Sequence, residues 1–289
     1  MLRIIHAISA ITIYYPLYVT EWMCGRYRMR DLFNRYKFSE YTHIRRTQGF
    51  TLIELAIVIV VIGLIAGGVL VGQDLIKGAE LRSIISEKER LIIAINTYKL
   101  KYNALPGDHN NAETIFGAAN TNNGTGNRII EHPDPTNLND SWLIWQHLSL
   151  AGLIEGTYTG DNVGGTATDA TIDVNVPASK VRKNIGYSIT YLPSNTNWGV
   201  APQLPHAIML GGDSPPHNGQ TANAAFKVLE IKSIDDKLDD GLANSGIIRT
   251  PVAQANHSSV GCNTGAAPNY SYNLSDDTAN CLLLFMEKF

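Results

Sequence analysis

One carboxylate stands at the mouth of the most apolar stretch of the chain. Glu54 sits in the run Gly49-Phe50-Thr51-Leu52-Ile53-Glu54-Leu55, and residues 55–72 then carry no charge and no proline. A charge near the start of a membrane-length helix is costly to insert, and chains keep such a charge where it has a partner. The chemistry open to Glu54 is therefore ion pairing with a cation in a low-dielectric setting. Inside the run, Gly63/Gly67 and Gly68/Gly72 make two small-xxx-small pairs. Such pairs let helix backbones approach closely, or they simply loosen the helix locally.

Three further groups of residues invite a chemical reading. Asp235, Asp236, Asp239 and Asp240 lie just before Gly241. Closely spaced carboxylates suit a hard cation such as calcium. Their spacing does not match an EF-hand loop, and a solvated acidic turn, or acids bonded to backbone N–H groups, fits the same residues. Trp142 and Trp145 could stack on a sugar or a nucleobase, or anchor a core. Cys262 and Cys281 follow the apolar run, whereas Cys24 precedes it. If the C-terminal part is exported, those two can pair across a loop of about 20 residues, worth roughly 3 kcal/mol; otherwise they are two buried thiols. The chain has no Gly-x-Ser-x-Gly elbow, no P-loop, no His-Glu-x-x-His and no tight Cys/His cluster. No catalytic residue, no cofactor and no metal other than calcium is expected from it.

The elements that must position these residues follow from periodicity and composition. Residues 52–72 have membrane-spanning length. Apolar residues then recur at helical spacing through Leu75, Ile76, Ala79, Ile84, Ile85, Leu91, Ile92, Ile95, Tyr98 and Tyr102. Glu80, Arg82, Glu87, Lys88, Glu89 and Arg90 fill the other faces, so one helix is expected from residue 51 to 102, roughly 75 Å long at 1.5 Å per residue. Its outer half needs something to cover the stripe. Pro106-Gly107-Asp108 ends it. Residues 103–289 read as one α+β head. Polar loops are expected at 112–139 and 161–177, and a helix at 141–151 with Gly152 as its C-cap. Strands are expected at 185–192, 206–210, 246–250 and 281–286, and Tyr270/Tyr272 suit a strand or a loop bounded by a disulfide. Thr221 is expected to cap a helix reaching about Leu238, with Phe226, Leu229, Ile231 and Ile234 turned inward.

Charge is distributed unevenly. Residues 1–49 hold eight Lys/Arg and three acids, and the remainder is acidic, within a total of −3. Positive charge ahead of an apolar span marks the cytoplasmic side, and an acidic remainder argues against nucleic-acid binding through a basic face. Residues 1–49 read as a pre-sequence whose junction precedes the apolar core, unlike an ordinary secretory signal. Met29 is an alternative start, which would make 1–28 a misassigned extension.

Gly49-Phe50-Thr51-Leu52-Ile53-Glu54-Leu55, the apolar helix behind it and the α+β head resemble the type IV pilin and type II secretion pseudopilin superfamily. The match is specific over about residues 45–102 and looser in the head. The resemblance implies a long N-terminal helix, transmembrane in its first half and amphipathic in its second, packed on a small antiparallel-sheet head. The three parts would be a leader at 1–49, an assembly helix at 50–102 and a head at 103–289. A prepilin peptidase would cut between Gly49 and Phe50, Phe50 would be N-methylated, and Glu54 would attract the Phe50 amine of a neighbouring subunit. Implied partners are copies of itself and other pilin-like subunits, an inner-membrane assembly platform and membrane lipid. The implied location is a bacterial inner membrane, crossed once, with the head periplasmic or extracellular. Some pseudopilins bind calcium in the head. Pilus and secretion pseudopilus remain open, as does a minor tip subunit binding DNA or a surface; a tethered enzyme or receptor is the remaining alternative. Many major pilins carry a proline at the position of Val71, which this chain lacks.

Overall fold

The computed structural model describes residues 49–131, 140–161, 170–192, 206–213, 220–251, 261–266, 269–277 and 280–289. Residues 1–48, with Cys24 and Met29, lie outside them, as do parts of both long polar loops. The chain divides into two compact units, Met1–Ile59 and Val60–Phe289.

Helix α1, Leu52–Tyr102, is continuous for 51 residues. It is long and apolar enough to cross a membrane, and its apolar window is not buried within the protein. In the second unit the helix changes character. Leu81, Ile84, Leu91, Ala94, Ile95 and Tyr98 are buried, three to four residues apart or multiples of it, so they form one stripe. They share a core with residues of the sheet and of the later helices, which is the cover that stripe requires.

The head is α+β. After α1 come α2 (Ala112–Phe116), α3 (Asp140–Leu150), β1 (Ile185–Tyr191), β2 (His206–Gly212), β3 (Phe226–Lys227) and α4 (Val228–Leu238). The short strands β4 (Ile248–Arg249), β5 (Asn263–Ala266), β6 (Asn269–Tyr272) and β7 (Asn280–Cys281) follow, and β8 (Leu283–Glu287) closes the chain. Four strands make an antiparallel sheet in the order β1-β2-β8-β4, in register through pairs such as Ile189↔Ile208 and Ile208↔Phe285. Its strands alternate. Ile185, Tyr187, Ile189, Ile208, Leu210, Leu283 and Phe285 join the core that contains α1. Ala207, Met209, Leu284 and Met286 form a second cluster with Leu192, Ala222 and Leu282. Because both faces are apolar, the strands read as continuous hydrophobic runs rather than clean alternation.

Three local expectations need correction. Part of the loop expected at 112–139 is the five-residue helix α2. Thr221 does not cap α4: its backbone N–H donates to Ser188 Oγ at 3.1 Å and its hydroxyl to the Met209 carbonyl at 3.3 Å. The helix starts at Val228, with the Lys227 N–H donating to Glu230 at 3.0 Å. Phe226 lies in β3, opposite Cys281, and Leu229 is exposed while Val228, Ile231 and Ile234 turn inward.

Charges that could pass for a solvated face of α1 instead hold it to the head. Arg182 reaches Glu80 at 3.3 Å and Glu230 at 2.6 Å, linking α1 to α4. Those carboxylates raise the Arg182 pKa, hydrogen bonding to Glu230 first among the causes. Glu87 accepts from the Ser179 hydroxyl, the Lys180 N–H and the Tyr187 hydroxyl at 2.8–3.0 Å. Lys88 pairs with Glu287 of β8.

Candidate functional site

The first residues of α1 carry the strongest chemical signal. Gly49 and Phe50 precede the helix in irregular backbone, and Phe50 is 87% exposed. Thr51 and Glu54 form a reciprocal capping box. The Thr51 N–H and hydroxyl both donate to Glu54 Oε2 at 2.8 Å, and the Glu54 N–H returns to Thr51 Oγ1 at 3.3 Å. Thr51 thus satisfies donors that a helix start leaves open. Its signal is in the sequence, as Thr-x-x-Glu before an apolar run, but attention to Glu54 alone misses it. Glu54 Oε1 makes no hydrogen bond among the described residues, so the carboxylate keeps one oxygen for a further donor.

Gly63, Gly67, Gly68 and Gly72 line open space. A Cβ added at any of them would meet nothing within 4 Å among the described residues. Among the described residues nothing packs against them.

The cysteines after the span, Cys262 and Cys281, are bonded, with Cα atoms 5.6 Å apart at a sequence separation of 19. Both are fully buried. The bond ties the residue before β5 to β7, which itself pairs with β3 ahead of α4.

Of the four aspartates, Asp235, Asp239 and Asp240 converge within 4.8 Å, and Asp236 does not join them. Asp236 pairs with Lys232 one turn back, at 2.6 Å. Asp235 accepts from the Tyr272 hydroxyl at 2.8 Å and the Gly241 N–H at 3.2 Å. Asp239 accepts from the Ile247 and Ile248 N–H groups, and Asp240 from the Leu242 N–H and the Ser245 hydroxyl. These acids organise the turn from α4 to β4 through backbone donors. Burial pushes Asp235 up to about 6.

Trp142 and Trp145 are fully buried in the main core, so neither offers a stacking face to solvent. Behind them lies a histidine network that the sequence does not announce. His147 is fully buried on α3. Its Nδ1 accepts the Gly107 N–H at 2.9 Å, and its Nε2 lies 3.2 Å from the Asn122 carbonyl. That fixes the neutral tautomer with the proton on Nε2. The Tyr98 ring stacks on it, and the Tyr98 hydroxyl bonds His109 Nδ1 at 2.8 Å. Burial pulls His147 down to about 4. The network locks the end of α1 to α3 and to the loop between them.

Residues 44–70 match a family model described as the prokaryotic N-terminal methylation motif. This is the prepilin-type signature of type IV pilins and pseudopilins. Signature and architecture are both similar to those of pilin-like proteins: a long N-terminal apolar helix is followed by a small antiparallel sheet. Comparison with curated proteins and with solved structures finds no match.

Proposed function

We propose that this chain is a structural subunit of a filament, a type IV pilus or a type II secretion pseudopilus. A prepilin peptidase cuts between Gly49 and Phe50, and the new Phe50 amine is methylated. The subunit stands in a bacterial inner membrane with its N-terminus cytoplasmic and its head outside, and is then drawn into the filament. One observation carries the reading: the methylation motif at residues 44–70 coincides with an exposed Gly49-Phe50 junction, a capped carboxylate at Glu54 and an apolar helix left uncovered by the described residues.

In assembly, the Phe50 ammonium of one subunit meets Glu54 of another. The Thr51 donors hold the carboxylate at the helix start, and the open Oε1 takes the incoming amine. Burying that pair in a bundle of apolar helices strengthens it relative to water, while Gly63, Gly67, Gly68 and Gly72 let neighbouring helices close in. A head-to-tail contact of this kind does not close on itself and so propagates as a helix. The role is assembly rather than catalysis.

The test is Glu54→Ala in the full chain. It should insert in the membrane and be processed normally, yet fail to enter filaments. Normal assembly of Glu54→Ala would sink the proposed pairing.

A further inference from the structure

We propose that, before assembly, the membrane-facing side of the head holds a zwitterionic phospholipid headgroup in the cleft between α1, the start of α4 and the turn after β6. The inference rests on the membrane-anchored reading above and adds a ligand class to it.

The cleft has a volume of about 560 Å³. Asp74, Lys77, Gly78 and Leu81 of α1 line one wall, and Lys227, Leu229 and Lys237 line another, with Leu274 and Asp277 closing it. All of these residues belong to the unit Val60–Phe289, together with the last apolar turns of α1.

Connectivity fixes where this cleft stands. The apolar run ends at Gly72. Asp74 and Lys77 therefore lie about 3–8 Å beyond it at 1.5 Å per residue. The headgroup layer on each side of a bilayer is about 5–8 Å deep, given a hydrocarbon core of ~30 Å within a total of ~40–45 Å. The part of the α1 wall that carries Asp74 and Lys77 thus falls inside that layer whenever the apolar run spans the membrane, with Gly78 and Leu81 just beyond it.

The lining has the composition that layer would recognise. Leu229 is 61% exposed and Leu274 is 51% exposed, an unfavourable arrangement in water but a suitable one at the acyl boundary. Lys77, Lys227 and Lys237 supply cations on flexible stems that can reach phosphate while their methylenes cover apolar surface. Asp74 and Asp277 supply exposed carboxylates. None of these five charges makes an ion pair among the described residues. A purely anionic headgroup would meet the aspartates unfavourably. A headgroup carrying both phosphate and ammonium satisfies the two signs together. Two further acids line the cleft and are already engaged, Glu230 by Arg182 and Asp276 by a partner of its own.

The test uses the full chain with Cys24→Ser, so that only an introduced thiol reacts, reconstituted in phosphatidylethanolamine vesicles doped with lipid spin-labelled near the headgroup or, for the probe within the span, near the end of the acyl chain. An environment-sensitive dye is placed in turn at Leu229→Cys, at Val61→Cys within the span, and at Leu100→Cys, an exposed α1 position 89% open to solvent. Quenching is expected at Leu229→Cys and Val61→Cys but not at Leu100→Cys. Adding Lys77→Glu, Lys227→Glu and Lys237→Glu should abolish it at Leu229→Cys alone. In vesicles of phosphatidylglycerol only, quenching at Leu229→Cys should fall to the level of Leu100→Cys. If Leu229→Cys stays unquenched while Val61→Cys is quenched, the docking is wrong and the anchor stands. An unquenched Val61→Cys overturns the anchor itself. Equal quenching of Leu229→Cys in phosphatidylglycerol overturns the zwitterionic assignment.

Discussion

Replacing both Cys262 and Cys281 with alanine should cost about 3 kcal/mol, because the bond closes a loop of 19 residues and loop-closure entropy of the unfolded chain scales with the logarithm of that length. Alanine is preferred to serine here, since both sites are fully buried and a hydroxyl would add an unsatisfied polar group. Cys281 pairs with Phe226 across β7 and β3, so the cross-link acts where α4 joins the sheet. For a folded unit the size of Val60–Phe289, about 3 kcal/mol corresponds to a fall in Tm of about 6–12 °C. The assay is thermal unfolding of the full chain in detergent, followed by near-ultraviolet circular dichroism. The oxidised protein, the reduced protein and the double alanine variant are compared. Reduced and double-alanine proteins should melt together, well below the oxidised form. Coincident melting of all three, or two alkylatable thiols in protein secreted to an oxidising compartment, would refute the reasoning.

His147 is held neutral, its pKa lowered to about 4 by burial. Unfolded, it binds a proton near pH 6.5, so its contribution is full above that pH and is lost as pH falls toward 4, a change of about 3 kcal/mol at most. His206, lowered to about 4 by burial and then by Lys99, acts in the same direction; titration of both rings by NMR checks the values. Asp140 runs the opposite way. It is pushed up to about 7 by burial, with the Asp108 and Glu131 charges adding, so its contribution is full below pH 3.8 and is lost as pH rises through 7. Its Oδ1 is buried without a hydrogen bond among the described residues, and urea melts of Asp140→Asn should show a gain over the native chain at pH 8 that shrinks by pH 5. Trp145→Ala should destabilise the head by about 3–5 kcal/mol, the cost of an emptied core site, read from the same melts.

Where structure depends on local pattern, the sequence is transparent. The stripe Leu81, Ile84, Leu91, Ile95 and Tyr98 marks the covered face of α1, and Ser141 to Leu150 reads as a helix because its apolar spacing and the positive φ of Gly152 agree. The start of α4 is obscured because Thr221, a good cap by type, is occupied by Ser188 and Met209, partners 33 and 12 residues away. Phe226 looks helical until Cys281 recruits it into β3. α2 hides in a polar segment since one turn of helix leaves too short a pattern. In the candidate site, Gly49, Phe50 and Glu54 stand out by type and order. Thr51 is legible only through its spacing to Glu54. The three aspartates that converge around the turn after α4 are legible as a cluster, but their backbone donors are fixed by the turn itself and carry no sequence signature.

The most direct test of the central claim is mass spectrometry of the mature chain isolated from membranes. The account predicts an N-terminus at Phe50 bearing one added methyl group on its amine. A chain that retains Gly49 and the residues before it, or that begins at an unmodified residue elsewhere, would contradict it.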